Sequence, residues 1–449
     1  MNDVHTAIVI LSAGKGQRMK SALPKVMHEI GGRAMIAHAI DAGAALAPDR
    51  MIVVIGEHGS EIGEFAKSIN AEVSIAVQAP ALGTGHAVMQ AMPALQGFEG
   101  AVLVLYADTP LVTPETLRAL SREVSAGAAV AVLGFTPENP GAYGRLKRDE
   151  QGALLAIVEA KDASPQELEI GLCNSGVMAI ESGFLNARLK DVDAKNAKGE
   201  YYLTDLVGLA RADNKHCAII EASVEEVVGV NSRVELAAAE AIFQNRMRKA
   251  AMENGATLAD PTSVYFSFDT QIGRDVTIGQ NVVFGLGVKV ADNVEIKPFS
   301  HLEGAVLGSE VSVGPFARLR PGTKLEAGAK IGNFVETKNA RIGGGAKVSH
   351  LSYIGDAEIG DGANIGAGTI TCNYDGYGKH KTTIGKGAFI GSNSALVAPV
   401  TIGDGAYVGS GSVITKNVES GDLAGARGRQ SVVKGWAARF QKTKQPKSK

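Results

Sequence analysis

The chain has 449 residues, more than one ordinary domain needs, so we expect two or three domains. Its 45% hydrophobic and 20% charged residues are typical of a globular protein, and a net charge of −2 argues against a general nucleic-acid binder. The apolar run at residues 7–11 is too short for a signal peptide or a membrane span. Three cysteines without metal-like spacing, Cys173, Cys217 and Cys372, indicate free thiols, and we expect a cytoplasmic protein with no membrane partner.

Residues 1–230 alternate apolar runs with helical patterns, which predicts an α/β domain built on a mostly parallel sheet. Ligands of such sheets bind beyond the carboxyl ends of the strands. The predicted strands are 7–11, 51–55, 73–77, 101–106, 128–135 and 226–230, and helices are predicted at 33–45, 60–69 and 114–125.

The first strand leads into a Gly-rich turn that contains Leu11, Ala13, Gly14 and Arg18 and is followed by Lys25. Backbone N–H groups of such a turn can hold phosphate oxygens, and the two basic side chains would add positive charge. The run contains neither GxxxxGK[ST] nor GxGxxG. By itself it is therefore equally well explained as a structural turn.

Residues 231–254 are predicted to form one long linker helix. The segment 232–253 is rich in Ala, Glu, Arg and Met, lacks Pro and Gly, and is followed by the helix stop Asn254-Gly255. Residues 255–449 make up the last predicted domain, and its Lys-rich tail after about residue 436 is expected to be a disordered, solvated basic segment.

Between residues 272 and 418 an aliphatic residue recurs every six positions, usually followed by Gly, as in IGRDVT and IGQNVV. This period predicts a parallel β-helix in which each hexad gives a strand and a corner, and three hexads close a triangular coil. Roughly twenty hexads would give about seven coils. The pattern resembles the left-handed β-helix of hexapeptide-repeat acyltransferases, and that resemblance alone implies the left hand. Polar and aromatic residues collect where the repeat breaks, at 337–341 and 371–383.

The segment from Leu11 to Lys25 resembles the sugar-nucleotide pyrophosphorylases, and the segments at 78–87, 106–111 and 230–233 match the same family. The resemblance implies a Rossmann-like nucleotidyltransferase domain with Mg²⁺ held by Asp108 and Asn231. The residues that it assigns to UTP and the sugar nucleotide are Leu11, Ala13, Gly14, Lys25, Gln78, Gly83, Thr84, Tyr106, Asp108, Gly144, Glu159, Asn174 and Asn231.

Nucleotidyl transfer brings an anionic sugar phosphate to the α-phosphate of a nucleoside triphosphate, so negative charge must be cancelled. Mg²⁺ suits this task with few protein ligands, because it keeps waters and phosphates in its shell. Arg18 and Lys25 would stabilise charge on the α-phosphate and the departing pyrophosphate. No general base is needed, since the attacking phosphate is already ionised. Taken alone, Asp108 is better explained as a helix N-cap or turn former.

Residues 333–376 resemble the acetyltransferase half of the bacterial family of bifunctional N-acetylglucosamine-1-phosphate uridyltransferases and glucosamine-1-phosphate N-acetyltransferases, and both halves match over residues 5–435. Attack of an amine on a thioester needs a base with a near-neutral pKa, which suits His. The resemblance assigns this role to His350, oriented by Glu336. It also assigns the sugar phosphate to Arg320 and Lys338, the sugar to Tyr353 and Asn364, coenzyme A to Ala367, Ser392, Ser410 and Arg427, and both sugar and coenzyme A to Asn373 and Tyr374.

The resemblance implies acetylation of glucosamine 1-phosphate followed by UMP transfer from UTP, giving UDP-N-acetylglucosamine for the bacterial cell envelope. Its implied co-substrates are UTP and acetyl-CoA, its other partners are small molecules, and its implied assembly is a homotrimer. Two alternatives remain open: a pyrophosphorylase whose β-helix only oligomerises or regulates, and a non-catalytic sugar-nucleotide-binding scaffold. Cys372 is expected to be a packed residue, because direct transfer to an amine needs no thiol nucleophile.

Overall fold

The computed structural model describes residues 5–14 and 16–444, and it divides into two compact units with the boundary between Met247 and Arg248. The first unit contains a sheet flanked by helices. Its strands are β1 (Thr6–Ser12), β2 (Glu29–Ile30), β3 (Arg33–Ala34), β4 (Arg50–Gly56), β5 (Val73–Gln78), β6 (Ala101–Tyr106), β7 (Val130–Phe135), β8 (Arg145–Arg148), β9 (Leu154–Val158), β10 (Cys173–Glu181) and β11 (Cys217–Glu221).

The helices of this unit are mostly short, and several 3₁₀ turns lie among them. The helices are α1 (Met35–Ala44), α2 (Ser60–Ile69), α3 (Thr84–Ala91), α4 (Pro114–Ser125), α5 (Pro165–Leu168), α6 (Ser182–Arg188), α7 (Asp205–Ala212) and α8 (Arg233–Glu253). The 3₁₀ turns are Gln17–Met19, Lys25–Met27, Met92–Leu95, Leu189–Asp191 and Val224–Glu226.

The main sheet has the strand order β11-β7-β10-β6-β1-β4-β5, with β8 and β9 added beside β10. Strands β6, β1, β4 and β5 run parallel, so their carboxyl ends share one edge. Alternate residues of β1 face opposite sides, and the two sides bury separate apolar clusters, one around Ile8 and Ile10 and one around Ala7 and Val9. The edge formed by Leu11, Gln78 and Tyr106 carries the first candidate site.

The sheet is mostly parallel, as predicted, although β10 runs antiparallel to β6 and β7, and β8 and β9 are antiparallel as well. One prediction for this unit needs correction. The apolar run at 226–230 is not a strand: a 3₁₀ turn occupies Val224–Glu226, and the residues after it pair with no strand of the sheet. That segment instead bonds to the turn after β6, since Val230 N donates to Asp108 O at 2.8 Å.

Helix α8 occupies the segment predicted as a linker, and most of it packs on the first unit. Ala239 is fully buried in a small cluster with Ile30 and Met35. Glu240 accepts from Gly31 N at 2.8 Å, and Arg246 donates to Leu111 O at 2.7 Å. The last residues of α8 belong to the second unit, where Arg248 donates to Val264 O at 2.8 Å.

The second unit is a left-handed parallel β-helix. Each strand pairs in parallel with a strand about three hexads further along the chain, as Thr277 does with Glu295 and His301 with Arg318. This confirms that three hexads close one coil. The inward aliphatic positions form the core, and eight of them on one face are at most 2% exposed: Ile278, Ile296, Val313, Ile331, Val348, Ile365, Ile390 and Val408.

The strands of the β-helix are mostly very short, as one hexad per side requires. They are Thr257–Leu258, Gln271–Ile272, Thr277–Ile278, Val283–Phe284, Lys289–Val290, Glu295–Ile296, His301–Leu302, Ala305–Leu307, Ser312–Val313, Arg318–Leu319, Thr323–Leu325, Lys330–Asn333, Glu336–Ile342, Lys347–His350, Tyr353–Ile359, Asn364–Ile365, Ile370–Cys372, Thr382–Ile384, Phe389–Ile390, Ala395–Val397, Val400–Ile402, Tyr407–Val408, Val413–Ile414 and Leu423–Ala424. A 3₁₀ turn at Pro261–Ser263 lies near their start.

The tail after residue 436 differs from the prediction in part. It begins with the helix α9 (Trp436–Lys444), whose Trp436 and Phe440 rings stack on each other with centroids 4.8 Å apart. This segment is therefore helical where disorder was expected, although residues 436–443 are exposed, as predicted for a solvated segment. The rest of the predicted basic tail, 445–449, lies outside the described residues.

The two breaks in the repeat have different structures. The first, at 337–341, is no loop: it lies inside the long strand Glu336–Ile342, which pairs with Tyr353–Ile359. The second is a loop. More residues separate Asn364 from its strand partner Phe389 than separate Lys347 from its partner Asn364 in the preceding coil. In the part of the chain that the structure describes, no helix has both the length and the apolar character to span a membrane.

Two candidate active sites

The Gly-rich turn after β1 is packed directly against Lys25. Gly16 has φ +58°, and a Cβ there would lie 2.5 Å from the Lys25 Cβ. Only glycine satisfies both conditions, since it favours the left-handed region and occupies no side-chain space. The turn therefore holds the stem of Lys25 in place beside the ends of β1 and β6.

A cavity of 260 Å³ opens at the carboxyl ends of the parallel strands. Most of the residues predicted for the nucleotide line it: Leu11, Ala13, Gly14, Lys25, Gln78, Gly83, Thr84, Tyr106 and Asp108. The other lining residues were not among those assigned to the nucleotide: Ser12, Val26, Ala81, Ala87 and Glu200. Segments that are distant in sequence thus meet at one cavity, as expected for a ligand site of a parallel sheet.

The Lys25 ammonium joins the two predicted metal ligands. It forms an ion pair with the Asp108 carboxylate and donates to Asn231 Oδ1 at 3.0 Å. Asn231 reaches this point because the preceding residue, Val230, bonds to the backbone of Asp108. One cation between a carboxylate oxygen and an amide oxygen shows that these two groups converge on a single position.

Asp108 does not cap a helix. The N-cap of α4 is Thr113, whose hydroxyl accepts from Thr116 N at 3.4 Å. The Asp108 side chain instead points to Lys25. Within residues 5–14 and 16–444 no group of three or more His, Cys, Asp or Glu side chains could bind a metal ion by itself. A metal at Asp108 would therefore depend on Asn231 and on oxygens from outside the protein.

Arg18 is a predicted catalytic residue that does not line the cavity. It lies on the 3₁₀ turn Gln17–Met19 and is exposed. It forms no hydrogen bond or ion pair with any residue that the structure describes.

The predicted nucleobase loop is held by a second segment of chain. Gly85 N donates to Tyr201 O and Tyr201 N donates to Leu82 O, both at 2.8 Å. Leu203 N donates to the Thr84 hydroxyl at 3.1 Å. Gly83 has φ +105°, and a Cβ there would lie 2.6 Å from Tyr201 O. This close approach explains why the loop carries glycine.

The three predicted sugar contacts lie together next to Tyr106. Asn174 N donates to Gly144 O at 2.8 Å, and a Cβ on Gly144 would lie 3.5 Å from Glu159 Oε1. Burial raises the pKa of Glu159 above its ordinary value. Burial also raises the pKa of the Tyr106 phenol, with Asp108 adding to the effect. The trio can offer a backbone carbonyl, an amide and a carboxyl group to sugar hydroxyls.

In the β-helix, His350 is oriented by Asn333 and not by Glu336. The two residues pair across adjacent coils, and His350 Nδ1 lies 2.7 Å from Asn333 Oδ1. An amide oxygen only accepts, so Nδ1 carries the proton in this contact. Glu336 accepts from Arg320 at 2.8 Å instead. The predicted contact between Glu336 and His350 is therefore corrected.

Three cations converge where the sugar phosphate was predicted. Arg320 N donates to Thr337 O at 2.9 Å, which places it beside Lys338. The neighbouring Lys379 ammonium, with Arg320 adding to the effect, lowers the pKa of Lys338. Lys379 lies in the loop 371–383 and was not singled out from the sequence. Mutual repulsion between these groups favours binding of a multiply charged anion.

Tyr353 and Asn373, which were predicted to contact the sugar, meet above Gly355, because a Cβ on Gly355 would collide with both side chains. The Asn373 amide donates to Asp356. Despite burial, this bond, a further one from Asn339, and two nearby lysines hold the pKa of Asp356 below its ordinary value. Tyr374 lies further out on the loop and is 61% exposed.

The predicted coenzyme A residues form one column along the prism. Asn393 N donates to Ala367 O and Gly411 N to Ser392 O, both at 2.7 Å, so each pair lies on adjacent coils. Ala367 follows His350 in the same column, since Gly368 N donates to His350 O at 3.3 Å. The Arg427 guanidinium lies 3.6 Å from where a Cβ on Gly409 would stand, next to Ser410.

Asn364, assigned to the sugar, lies on the same face of the β-helix and pairs with Lys347.

Two candidate residues that the sequence reasoning missed, Asn333 and Lys379, differ in the signals they offered. Asn333 precedes His350 by one coil, so the repeat itself could have identified it. Lys379 lies in the loop that was recognised as a break in the repeat. It went unnoticed because a loop lysine has no periodic signal, and only the folded loop brings it to Lys338.

Comparisons with known proteins agree with the division of the chain into two units. Residues 8–165 match the model of the MobA-like NTP transferase domain, and residues 381–416 match that of the bacterial transferase hexapeptide (six repeats). The chain is 56% identical to the bifunctional protein GlmU of Paramagnetospirillum magneticum over 97% of this chain and 96% of that protein. It is 54% identical to the protein of that name from Azorhizobium caulinodans and 49% identical to that from Zymomonas mobilis, each over 98% of both chains.

Identity at this level over nearly the whole length covers the α/β unit, helix α8 and the β-helix together. The relatives are named as bifunctional proteins, which agrees with two separate groups of clustered polar residues, one in each unit. The chain belongs to the family of bifunctional GlmU proteins.

Proposed function

We propose that the β-helix acetylates the 2-amine of glucosamine 1-phosphate with acetyl-CoA, and that the α/β unit then transfers UMP from UTP to the resulting N-acetylglucosamine 1-phosphate. The products of the second step are UDP-N-acetylglucosamine and pyrophosphate. Activity is divided among the predicted domains, 1–230 for uridyl transfer and 255–449 for acetyl transfer. Membership in a family of bifunctional proteins supports this proposal over a scaffold or a single activity.

In uridyl transfer, a phosphate oxygen of the sugar attacks the α-phosphorus of UTP, and the bond to pyrophosphate breaks. Lys25, whose side chain is 9% exposed at the cavity, would bind the phosphates. Arg18 would close onto them from the exposed turn. Gln78, Gly83 and Thr84 would receive the base, and Gly144, Glu159 and Asn174 would receive the N-acetylglucosamine ring.

The residues present fit Mg²⁺. Asp108 and Asn231 offer one carboxylate and one amide oxygen, the hard donors that this ion prefers, and a cationic ammonium already lies between them. When bound, Mg²⁺ would neutralise charge on the nucleotide phosphates. Lys25 would then exchange its two partners here for phosphate oxygens.

In acetyl transfer, His350 Nε2 would take a proton from the ammonium or the attacking amine, while Asn333 holds the Nδ1 proton. The amine nitrogen bonds to the acetyl carbon, and coenzyme A leaves as a thiol. Arg320, Lys338 and Lys379 would bind the sugar phosphate, with Glu336 holding Arg320 in place. Tyr353, Asn364, Asn373 and Tyr374 would contact the sugar, and Ala367, Ser392, Ser410 and Arg427 would line the path of coenzyme A.

We also propose a cytoplasmic homotrimer. Three unpaired thiols suit a reducing compartment, and burial raises the pKa of the Cys217 thiol to about 11, which keeps it unreactive. Assembly is supported by an exposed aromatic stripe on the β-helix. The rings of Phe299, Phe316 and Phe334 stack with centroids 4.9 and 5.2 Å apart and are each about half exposed.

The observation that carries the proposal is the convergence of two unrelated residue sets on two sites, Lys25 with Asp108 and Asn231, and Asn333 with His350. The test is a crossed experiment on the full chain. We expect Asp108→Ala to slow pyrophosphate release from UTP and N-acetylglucosamine 1-phosphate about a hundredfold or more, the effect expected when a major charge-stabilising group is removed. Coenzyme A release should be kept.

His350→Ala should show the reverse pattern, with coenzyme A release lost and pyrophosphate release kept. Absence of coenzyme A release in the wild type would leave a single nucleotidyltransferase activity. Unchanged pyrophosphate release in Asp108→Ala would remove this carboxylate from the mechanism.

A further inference from the structure

The three candidate sugar contacts lie at one end of a single row of the sheet. In that row Arg145 pairs with Val158 on one side and with Cys173 on the other. Both pairings are antiparallel, so the residue before Arg145 and the residues after its two partners lie on the same side of the row. Those residues are Gly144, Glu159 and Asn174. The spacing of the three groups therefore depends on how the chain before Arg145 is held.

Gly144 ends an exposed loop that belongs to no strand or helix. Among the described residues, the segment 139–143 bonds only to itself, apart from the contacts of one arginine. Its internal hydrogen bonds, both of 3.1 Å, run from Gly141 N to Asn139 Oδ1 and from Tyr143 N to Pro140 O. These bonds shape the turn, but they do not attach it to the sheet.

The Arg145 side chain folds back and makes that attachment. Arg145 is 3% exposed. Its guanidinium donates to Tyr143 O, to Gly141 O at 3.1 Å and to Pro140 O at 3.5 Å. It forms no ion pair with any residue that the structure describes, and its Nε has no hydrogen-bond partner there. The planar fork of arginine presents several donors at once, which suits carbonyls that follow one another around a turn.

Stability alone does not explain a charge at this position. A buried guanidinium without an anionic partner loses its hydration, and the three carbonyls leave its Nε unsatisfied. An apolar side chain of similar size would avoid that cost. What the guanidinium contributes is a fixed loop, because its hydrogen bonds join residues 140–143 to β8.

We propose that Arg145 is a positioning residue for the N-acetylglucosamine phosphate, because it holds the loop that ends at Gly144. This inference rests on the proposed uridyl transfer. The Gly144 carbonyl accepts from Asn174 N at 2.8 Å, and its N–H donates to no described residue, so that N–H can donate to a sugar hydroxyl. If the loop is released, Gly144 shifts against Asn174 and Glu159, and the sugar site loses its preorganised spacing. The nucleotide cavity should be unaffected, since residues 139–145 do not line it.

The experiment compares Arg145→Met, Arg145→Lys and the control Arg50→Lys in the full chain. Met removes the donors, and Lys keeps the charge without the fork. Arg50 is a matched control, because it also donates to a backbone carbonyl, Ala94 O at 2.6 Å, and neither residue lines the nucleotide cavity. Pyrophosphate release is measured while the sugar phosphate and UTP are varied in turn.

We expect the KM for N-acetylglucosamine 1-phosphate to rise about tenfold in Arg145→Met and about threefold in Arg145→Lys, because the sugar site is no longer preorganised. The kcat and the KM for UTP should change less than about twofold, since the loop does not touch the nucleotide. Arg50→Lys should leave both KM values unchanged.

Thermal unfolding and coenzyme A release on the same samples report folding, and Arg145→Lys decides the question should Arg145→Met fail to fold. An unchanged KM for the sugar phosphate would overturn the inference. Equal rises in the two KM values would also overturn it, since they indicate a merely structural guanidinium. If the wild type releases no pyrophosphate from UTP and N-acetylglucosamine 1-phosphate, the proposed function fails instead.

Discussion

At the scale of single residues, charge pairing determines which side chains can act together. Lys25 lies between Asp108 and Asn231, and Glu336 lies against Arg320. His350 has an amide as its partner, not a carboxylate. An amide oxygen can only accept, so Asn333 orients the imidazole by accepting from Nδ1.

The partner of His350 gives the sharpest prediction at this scale. Asn333→Ala should lower kcat for acetyl transfer about tenfold with the KM for glucosamine 1-phosphate little changed, because the base loses its orientation. Glu336→Gln should instead raise that KM severalfold, because Arg320 loses its anionic partner. Steady-state kinetics of coenzyme A release separate the two effects. A fall in kcat at constant KM for Glu336→Gln would restore Glu336 as the partner of the base.

At the scale of elements, glycine positions decide how closely two segments can approach. The loop at the start of α3 is pinned by the segment around Tyr201, and Gly83 is a point of close approach. The chain contains a matched control: Gly127 has the same φ of +105°, but a Cβ there would meet nothing within 4 Å among the described residues. The two positions share this φ and differ in the space around them.

We therefore expect Gly83→Ala to raise the KM for UTP about tenfold or more, since the loop must move away from Tyr201 O. Gly127→Ala should cost about 1 kcal/mol of stability from its φ alone and leave the KM for UTP unchanged. Initial rates of pyrophosphate release and thermal unfolding of both variants check this. Equal KM values in the two variants would show that the contact with Tyr201 is not needed.

At the scale of the whole molecule, two units of different architecture carry two sets of candidate functional residues. The β-helix is regular, and its coils repeat a core of aliphatic residues with little variation. Its candidate residues lie mainly on the long strands Glu336–Ile342 and Tyr353–Ile359, on the loop 371–383 and at corners of neighbouring coils. The exposed stripe of Phe299, Phe316 and Phe334 stacks only on itself among the rings that the structure describes, which suits burial between chains.

Phe316→Glu tests this assembly, because burying three carboxylates between chains would be strongly unfavourable. We expect the trimer to dissociate, measured by light scattering coupled to size-exclusion chromatography. Uridyl transfer should persist, and acetyl transfer should fall if chains share that site. The control is Tyr377→Glu, because Tyr377 lies on the loop 371–383 and is 99% exposed; this variant should stay trimeric. A trimeric Phe316→Glu would place the interface elsewhere on the prism.

The sequence by itself determined the architecture of the β-helix, since a six-residue period allows only one way to bury an aliphatic residue per strand. It also determined most of the parallel strands and the helices α1, α2 and α4, whose apolar patterns are local. It could not reveal β10 as an antiparallel strand or 226–230 as an unpaired segment, because strand direction and pairing depend on distant partners.

Only the tertiary structure decided which polar groups meet. It brought Asn231 to Asp108 through a backbone bond between segments far apart in the chain, and it paired His350 with Asn333 and Glu336 with Arg320. It also added Lys379 to the cation cluster and turned the Arg145 side chain onto the loop 139–143. A residue's type states what chemistry it can perform, but hydrogen bonds act over about 3 Å, and distances of that size are determined only when the whole chain has packed.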